Sequence, residues 1–270
     1  MTTETLEAVP ARILAEPAPR DTLSIGGIKT VRLTRAELAD CLLGDIGLAR
    51  AGQLPLPRLV FSSNGSVIAA YHRDQSYRYI MDRADLIDAD GMPLVMASRL
   101  LCRSPLRERV ATTDFIEDAC LVASREGIRF YFLGASPGVA DEAARRLGQR
   151  YPALHVVGVR NGYFSAHEEA EICADVVRSR ADVLWVGLGS PRQEVFAVAN
   201  MMRLPGVAWI RTCGGLFDHM AGCVPRAPAW MQAAGLEWLH RVLKEPRRLG
   251  PRYLMTNPLA AYHLLTKTRG

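Results

Sequence analysis

Several chemistries are excluded by what this chain lacks. Its six cysteines (Cys41, Cys102, Cys120, Cys173, Cys213, Cys223) contain no C-x-x-C pair, and its six histidines form no H-x-x-x-H or mixed Cys/His cluster. A zinc site therefore has no ligand pattern, and scattered cysteines read as free thiols in a reducing compartment. The G-x-G-x-x-G fingerprint of dinucleotide binders is missing, and hydrolytic triads find no support. No apolar run approaches the roughly 20 residues that cross a bilayer. The first residues carry Glu4, Glu7 and Glu16 without the apolar centre of a signal peptide. Aromatics are sparse at 7%, and 33 basic against 28 acidic residues leave a net charge of +5, a mild bias toward anionic partners.

What is present is an alternation of strand and helix. Residues 1–22, rich in Ala, Pro, Glu and Thr, read as a disordered leader. Residues 27–33 read as a strand, and Thr34 with Glu37 forms a capping box opening a helix to Leu48. Apolar runs at 58–61, 84–89, 128–133, 155–158, 182–186 and 208–211 are near-continuous. They predict a Rossmann-like, mostly parallel α/β sheet covered by helices on both faces. The core is expected over 23–222, with a helical, basic appendage over 223–270. Ligands of such sheets bind off the carboxyl ends of the strands, so the candidate loops are 62–65, 88–91, 134–138, 161–164, 187–194 and 213–218.

Each motif has a bland alternative. Gly134-Ala135-Ser136-Pro137-Gly138, between strand and helix, suits a phosphate at a helix N-terminus, yet any tight turn favours such residues. In Gly187-Leu188-Gly189-Ser190-Pro191-Arg192-Gln193-Glu194, Pro191 suits a first helical turn. Gln193 offers donor and acceptor to a sugar, and Glu194 either bonds a hydroxyl or complements the helix dipole. Asp88-Ala89-Asp90 spells D-x-D, a metal–diphosphate pattern in many sugar transferases. Asp90 before Gly91 is equally a general base or a turn residue. Ser62 and Asn64 orient a sugar, cap a helix, or do both.

The last fifth is unusual. From Arg241 to Gly270 there are seven Lys/Arg and one acid, Glu245. A helix over 230–244 places Met231, Trp238, Leu239, Val242 and Leu243 on a wide apolar arc, ended by Pro246. Either this helix packs on the core with solvated arginines, or the arc meets a membrane while Arg241, Arg248 and Arg252 bind a diphosphate.

Taken in order, Ser62-x-Asn64, Ala89-Asp90-Gly91-Met92, Glu108-Arg109-Val110, Asn161-Gly162-Tyr163-Phe164, Gly187-x-Gly189-Ser190-Pro191-x-Gln193-Glu194, Asp218-x-x-x-Gly222, Arg226-Ala227-Pro228 and Gly235-Leu236-Glu237-Trp238 resemble the WecG/TagA/CpsF family of bacterial glycosyltransferases. The resemblance covers roughly residues 24–256. It implies inverting transfer from a UDP-sugar, with neither metal nor other cofactor, onto a polyprenyl-diphosphate-linked saccharide in cell-surface polysaccharide synthesis. The protein would lie at the inner face of the plasma membrane.

By position, Asp90 matches the family's proposed base. Ser62 sits at a catalytic-pocket position usually held by Thr, and Asn64 and Gln193 match sugar-pocket residues. Arg241, Arg248 and Arg252 match a basic appendage that closes the site. UDP is expected near residues 134–138, the loop from Gly187 to Glu194, and Asp218. Two departures stand out, Ala111-Thr112-Thr113-Asp114 in place of Thr-Gly-x-Asp, and Met92-Pro93 in place of Ile-Gly. These altered loops favour glucose as the donor sugar, with N-acetylmannosamine or its uronic acid as the alternative. A metal-dependent transferase and a non-catalytic, membrane-docking nucleotide-binding module remain as rivals. No nucleic-acid motif is present, and a homo-oligomer stays open.

Overall fold

The structure is a computed structural model that describes residues 21–270. Apart from Asp21 and Thr22, the expected leader lies outside the described residues. Strands β1 (Thr22–Ile25) and β2 (Ile28–Val31) form an antiparallel hairpin separate from the main sheet. The strand expected over 27–33 is β2, while β1 before it was not expected; Gly26 and Gly27 turn the chain between the two at φ +57° and +90°, a region that favours glycine. Helix α1 (Arg35–Arg50) starts at the predicted capping box, with the Glu37 N–H donating to Thr34 Oγ1 at 3.2 Å and the Thr34 N–H donating to Glu37 Oε2 at 2.8 Å.

The main sheet has six strands, β3 (Arg58–Ser63), β4 (Leu86–Ala89), β5 (Arg129–Gly134), β6 (His155–Arg160), β7 (Val183–Gly187) and β8 (Trp209–Thr212). Their order is β4-β3-β8-β7-β5-β6, and every pairing is parallel. One face (Phe61, Ile87, Leu133, Val186, Ile210) packs under α2 (Gly65–Arg73), α3 (Gln75–Met81), α4 (Met92–Leu101), α7 (Glu169–Arg178) and α8 (Arg192–Asn200). The other face (Val60, Leu86, Phe132, Trp185, Trp209) packs under α1, α5 (Thr112–Glu126), α6 (Val139–Arg150) and α9 (Leu216–Met220). The helix after β5 thus covers one face and the helix after its neighbour β7 covers the other. This divergence opens a crevice at the carboxyl ends of the strands.

The tail departs from the expected single helix. Gly235, at φ +72°, divides it into α10 (Ala229–Ala233) and α11 (Glu237–Lys244). Pro246 starts a helix rather than ending one, because a first-turn proline has no N–H to lose. That helix, α12 (Pro246–Lys267), is 22 residues long and packs on α2 and α4. Its Leu249, Ala260, His263 and Leu264 are buried, and Leu264 joins the core cluster of the first sheet face. Among the described residues, no helix is long and apolar enough to cross a membrane.

Candidate active site

Parallel pairing of β3 with β4 sets Ser62 opposite Asp88 and Ser63 opposite Ala89. The chain leaves β4 through Asp90, whose N–H donates to the Ser63 carbonyl at 2.9 Å. Asn64 caps α2, its Oδ1 accepting from the N–H groups of Ser66 and Val67 at 3.1 and 3.2 Å. The first turn of α5 closes over this corner. The Thr112 N–H donates to Asp90 Oδ1 at 2.9 Å, and Thr112 Oγ1 lies 3.0 Å from Ser62 Oγ. Ser62, Asn64 and Asp90 therefore meet at one strand edge, as their motifs imply. Thr112, flagged in the sequence only as part of a departure, is the residue that joins two of them.

Asp88 does not share the crevice with Asp90. It is 1% exposed and faces the fully buried Arg211 at 2.5 Å. Burial pushes its carboxyl up to about 6, even though Arg211 pulls the other way, and the nearby Asp90 adds to the rise. A carboxylate committed to a buried guanidinium is a poor partner for a metal shared with Asp90. Among the described residues, no three His, Cys, Asp or Glu side chains gather as a metal site.

At the β7 end, Gln193 and Glu194 occupy the first turn of α8 after a cis Ser190–Pro191 peptide. Gln193 Oε1 accepts from the Gly214 N–H at 2.9 Å, and its Nε2 donates to Glu194 Oε1 at 2.7 Å. The Ser190 hydroxyl donates to Glu194 Oε2 at 2.9 Å, and Tyr77 Oη lies 2.7 Å from Ser190 Oγ. Glu194 is 1% exposed, and burial pushes its carboxyl up against the hydrogen bonds from Gln193 and Ser190. Both of its oxygens are occupied within the protein. Glu194 thus holds the loop, while Gln193 bridges the ends of β7 and β8.

Gly134 and Gly187 let backbones meet. A Cβ on Gly134 would lie 2.3 Å from the Gly187 carbonyl oxygen, and one on Gly187 would lie 2.9 Å from the Phe217 ring. The turn from Gly134 to Gly138 also spells G-x-S-x-G between strand and helix, the spacing of a hydrolase elbow. Ser136 is exposed and has no histidine hydrogen bond among the described residues, so the spelling carries no triad. Asp218, on α9, shapes the following turn through its carbonyl, which accepts from the Cys223 and Val224 N–H groups at 2.9 and 3.2 Å.

The tail is fastened to Arg109 and to the first turn of α5 by ion pairs. Arg109 donates to Asp114 at 2.9 Å, to Glu237 at 3.0 Å and to Gln232 at 3.2 Å. Arg226 also pairs with Asp114 and donates to Gln232 at 2.7 Å. Three separate motifs, around Arg109, Arg226 and Glu237, thereby become one network. Arg241 is close enough for its charge to act on His219 of α9, and Arg252 acts similarly on Tyr77 beside Ser190. The side chain of Arg248 lies outside the described residues. A cavity walled by Arg50, Arg129, Arg180 and Asp182 opens at the opposite, amino-terminal edge of the sheet and contains none of these candidates.

Comparison with known proteins identifies the family. Residues 23–270 match the glycosyl transferase WecG/TagA/CpsF family. The N-acetylglucosaminyldiphosphoundecaprenol N-acetyl-beta-D-mannosaminyltransferase of Bacillus subtilis (strain 168) is 29% identical over 203 residues, which are 73% of this chain and 78% of the relative. A protein of the same name from Bacillus spizizenii (strain ATCC 23059 / NRRL B-14472 / W23) is 31% identical over 172 residues, 64% of this chain and 65% of that relative. With nearly its whole described length matched, this chain belongs to the WecG/TagA/CpsF family of glycosyltransferases.

Proposed function

We propose that this protein transfers N-acetylmannosamine from its UDP conjugate to an N-acetylglucosamine carried on a polyprenyl diphosphate, with Asp90 as general base. The observation that carries this reading is the corner at the β3/β4 edge. There Asp90 is oriented by the Thr112 N–H beside Ser62 and Asn64. The acceptor hydroxyl attacks the anomeric carbon, a new C–O bond forms, the bond to UDP breaks, and Asp90 takes the hydroxyl proton. One displacement inverts the centre and needs no protein nucleophile, like the single step of inverting glycosidases. The leaving diphosphate is met by the helix N-termini of the crevice and by Arg241 and Arg252.

The choice of sugar changes from the glucose expected above. The names of both relatives specify N-acetylmannosaminyl transfer to an N-acetylglucosaminyl lipid diphosphate. The departures that favoured glucose also have structural roles. Thr112 bonds Asp90 and Ser62, and Pro93 packs so close to the Gly235 turn that a Cβ on Gly235 would lie 3.5 Å from its ring. Thr112 thus belongs to the corner around Asp90 and Pro93 seats the tail, and neither gives an independent sign of a glucose pocket.

A membrane-bound acceptor fits the outer surface of the tail. Leu243, Leu254, Met255, Tyr262 and Leu265 are exposed, and α12 contains no acidic residue. The protein would rest on the inner leaflet through this surface. The test is a donor screen with a short-chain polyprenyl-diphosphate-N-acetylglucosamine acceptor. Transfer from UDP-N-acetylmannosamine, retained in EDTA and abolished by Asp90→Asn with UDP binding intact, supports the reading. Loss in EDTA favours the metal-dependent rival, and turnover by Asp90→Asn removes Asp90 as base.

A further inference from the structure

The second sheet face is apolar for most of its depth, with Val60, Leu86 and Trp209 in one core cluster. Two residues further along β3, β4 and β8 the same face carries Ser62, Asp88 and Arg211. A layer that ought to be core is polar instead, directly beneath the crevice. Arg211 is 0% exposed, and burying it is costly without partners. Its guanidinium faces Asp88 at 2.5 Å, donates to the Phe61 carbonyl at 3.3 Å and to Thr112 Oγ1 at 3.4 Å, and lies 5.5 Å from the centre of the Phe115 ring. Four elements, β3, β4, β8 and α5, are thus pinned to one buried cation. Thr112 is the contact that reaches Asp90, through its N–H.

We infer that Arg211, held by Asp88, is a positioning residue for Asp90: it fixes the first turn of α5 so that the Thr112 N–H orients the carboxylate. This rests on the proposal that Asp90 is the base. The charged and titratable groups of the layer are Asp88 and Asp90 from β4 and its exit, and Arg211 and Cys213 from β8 and its exit, with Asp218 acting on Cys213. Two carboxylates against one guanidinium leave the layer sensitive to loss of either partner. A purely structural ion pair would lower the folded fraction without changing the pH dependence of the folded enzyme.

Arg211→Met, Arg211→Lys and Asp88→Asn are assayed for UDP binding, kcat and the pH profile of kcat/KM. Arg211→Met is expected to keep UDP affinity, to lose about tenfold or more in kcat at pH 7, and to move the acidic limb upward by about one pH unit. Arg211→Lys restores part of both. Asp88→Asn moves the limb downward, because the carboxylate charge that repels Asp90 is then gone. An acidic limb unmoved in soluble, UDP-binding Arg211→Met and Asp88→Asn overturns the inference, however slow those variants are. If Arg211→Met does not fold, the limb of Asp88→Asn decides by itself: a downward shift supports the inference and none overturns it. Asp90→Asn separates the two levels. Turnover there removes the base itself, whereas loss of turnover there with unmoved limbs in the others removes only the role of Arg211.

Discussion

Ser24 and Arg269 exchange both backbone hydrogen bonds, the Ser24 N–H donating to the Arg269 carbonyl at 3.0 Å and the Arg269 N–H to the Ser24 carbonyl at 2.9 Å. Next to them the Gly26 N–H donates to Thr268 Oγ1 at 3.0 Å and the Gly27 N–H to the Lys267 carbonyl at 3.1 Å. The end of the tail is therefore stitched to the β1–β2 hairpin. Leu264 is buried in the same core cluster as Leu23, Ile25 and Ile68.

Seen from the sequence alone, a chain cut near Cys223 ought to fold and stay soluble. The structure predicts the reverse, since the cut uncovers α2 and the β1–β2 hairpin. Leu264→Ala in the full chain is expected to cost about 2–4 kcal/mol, read as a lower denaturant midpoint. The truncated chain should lack a cooperative melt. A wild-type melt from it would show the tail to be dispensable for folding.

The side chain of Arg109 is 10% exposed and bridges Asp114 to Glu237. A partly buried pair of this kind couples more strongly than a surface pair. Arg109→Ala and Glu237→Ala should therefore be non-additive in a double-mutant cycle, by about 1–3 kcal/mol in stability. Both should also lower transfer activity by loosening α11. Strict additivity would mean that the network does not hold the tail.

Gly134→Ala places a methyl within 2.3 Å of the Gly187 carbonyl oxygen, at a backbone φ of +146°. Backbone cannot step aside as a flexible side chain can, so the β5 and β7 ends must part. The expected loss is about 3 kcal/mol or more, together with most activity. A variant with wild-type melting and turnover would contradict the packing described for the crevice floor.

His72 and His263 stack with ring centroids 3.6 Å apart, joining α2 to α12. The His72 Nε2–H donates to the Gly26 carbonyl at 2.7 Å, while Nδ1 faces Arg78 and Lys267 at 3.5 Å each. Burial holds both imidazoles below the usual histidine range, and Lys267 and Arg78 push the same way. A depressed folded value means that the neutral pair contributes stability in full above the unfolded value of about 6.5. That stability is lost as pH falls through the folded values. The protection of α12 against hydrogen exchange, relative to the intrinsic rate at each pH, should fall as pH drops below about 6, and His263→Gln should flatten the dependence. Equal protection of α12 at pH 7 and pH 5 would refute this.

Local signals explain why much of the candidate site's placement was legible. Asn64 and Thr34 are caps whose side chains bond only a few residues away. Asp90 and Gln193 follow strands whose apolar runs mark where the sheet ends. The strand Thr22–Ile25 was missed because its four residues carry too short an alternation to mark a strand, and without it the turn at Gly26-Gly27 had nothing to join. Thr112 and Arg211 were missed because their partners, Asp90 and Asp88, are distant in sequence. Only strand order brings them together.

By itself, the sequence determined most element types, the parallel sheet and the strand ends at which the candidate residues lie, because these depend on local periodicity, caps and turns. Tertiary structure alone decided that Asp88 pairs with the buried Arg211. It also decided that Glu194 holds a loop, and that the basic tail closes back onto the first strands. Those outcomes depend on register between β3, β4 and β8 and on the path of α12. Such long-range pairings are set by which buried surfaces and charges find partners, a condition no local window of residues contains.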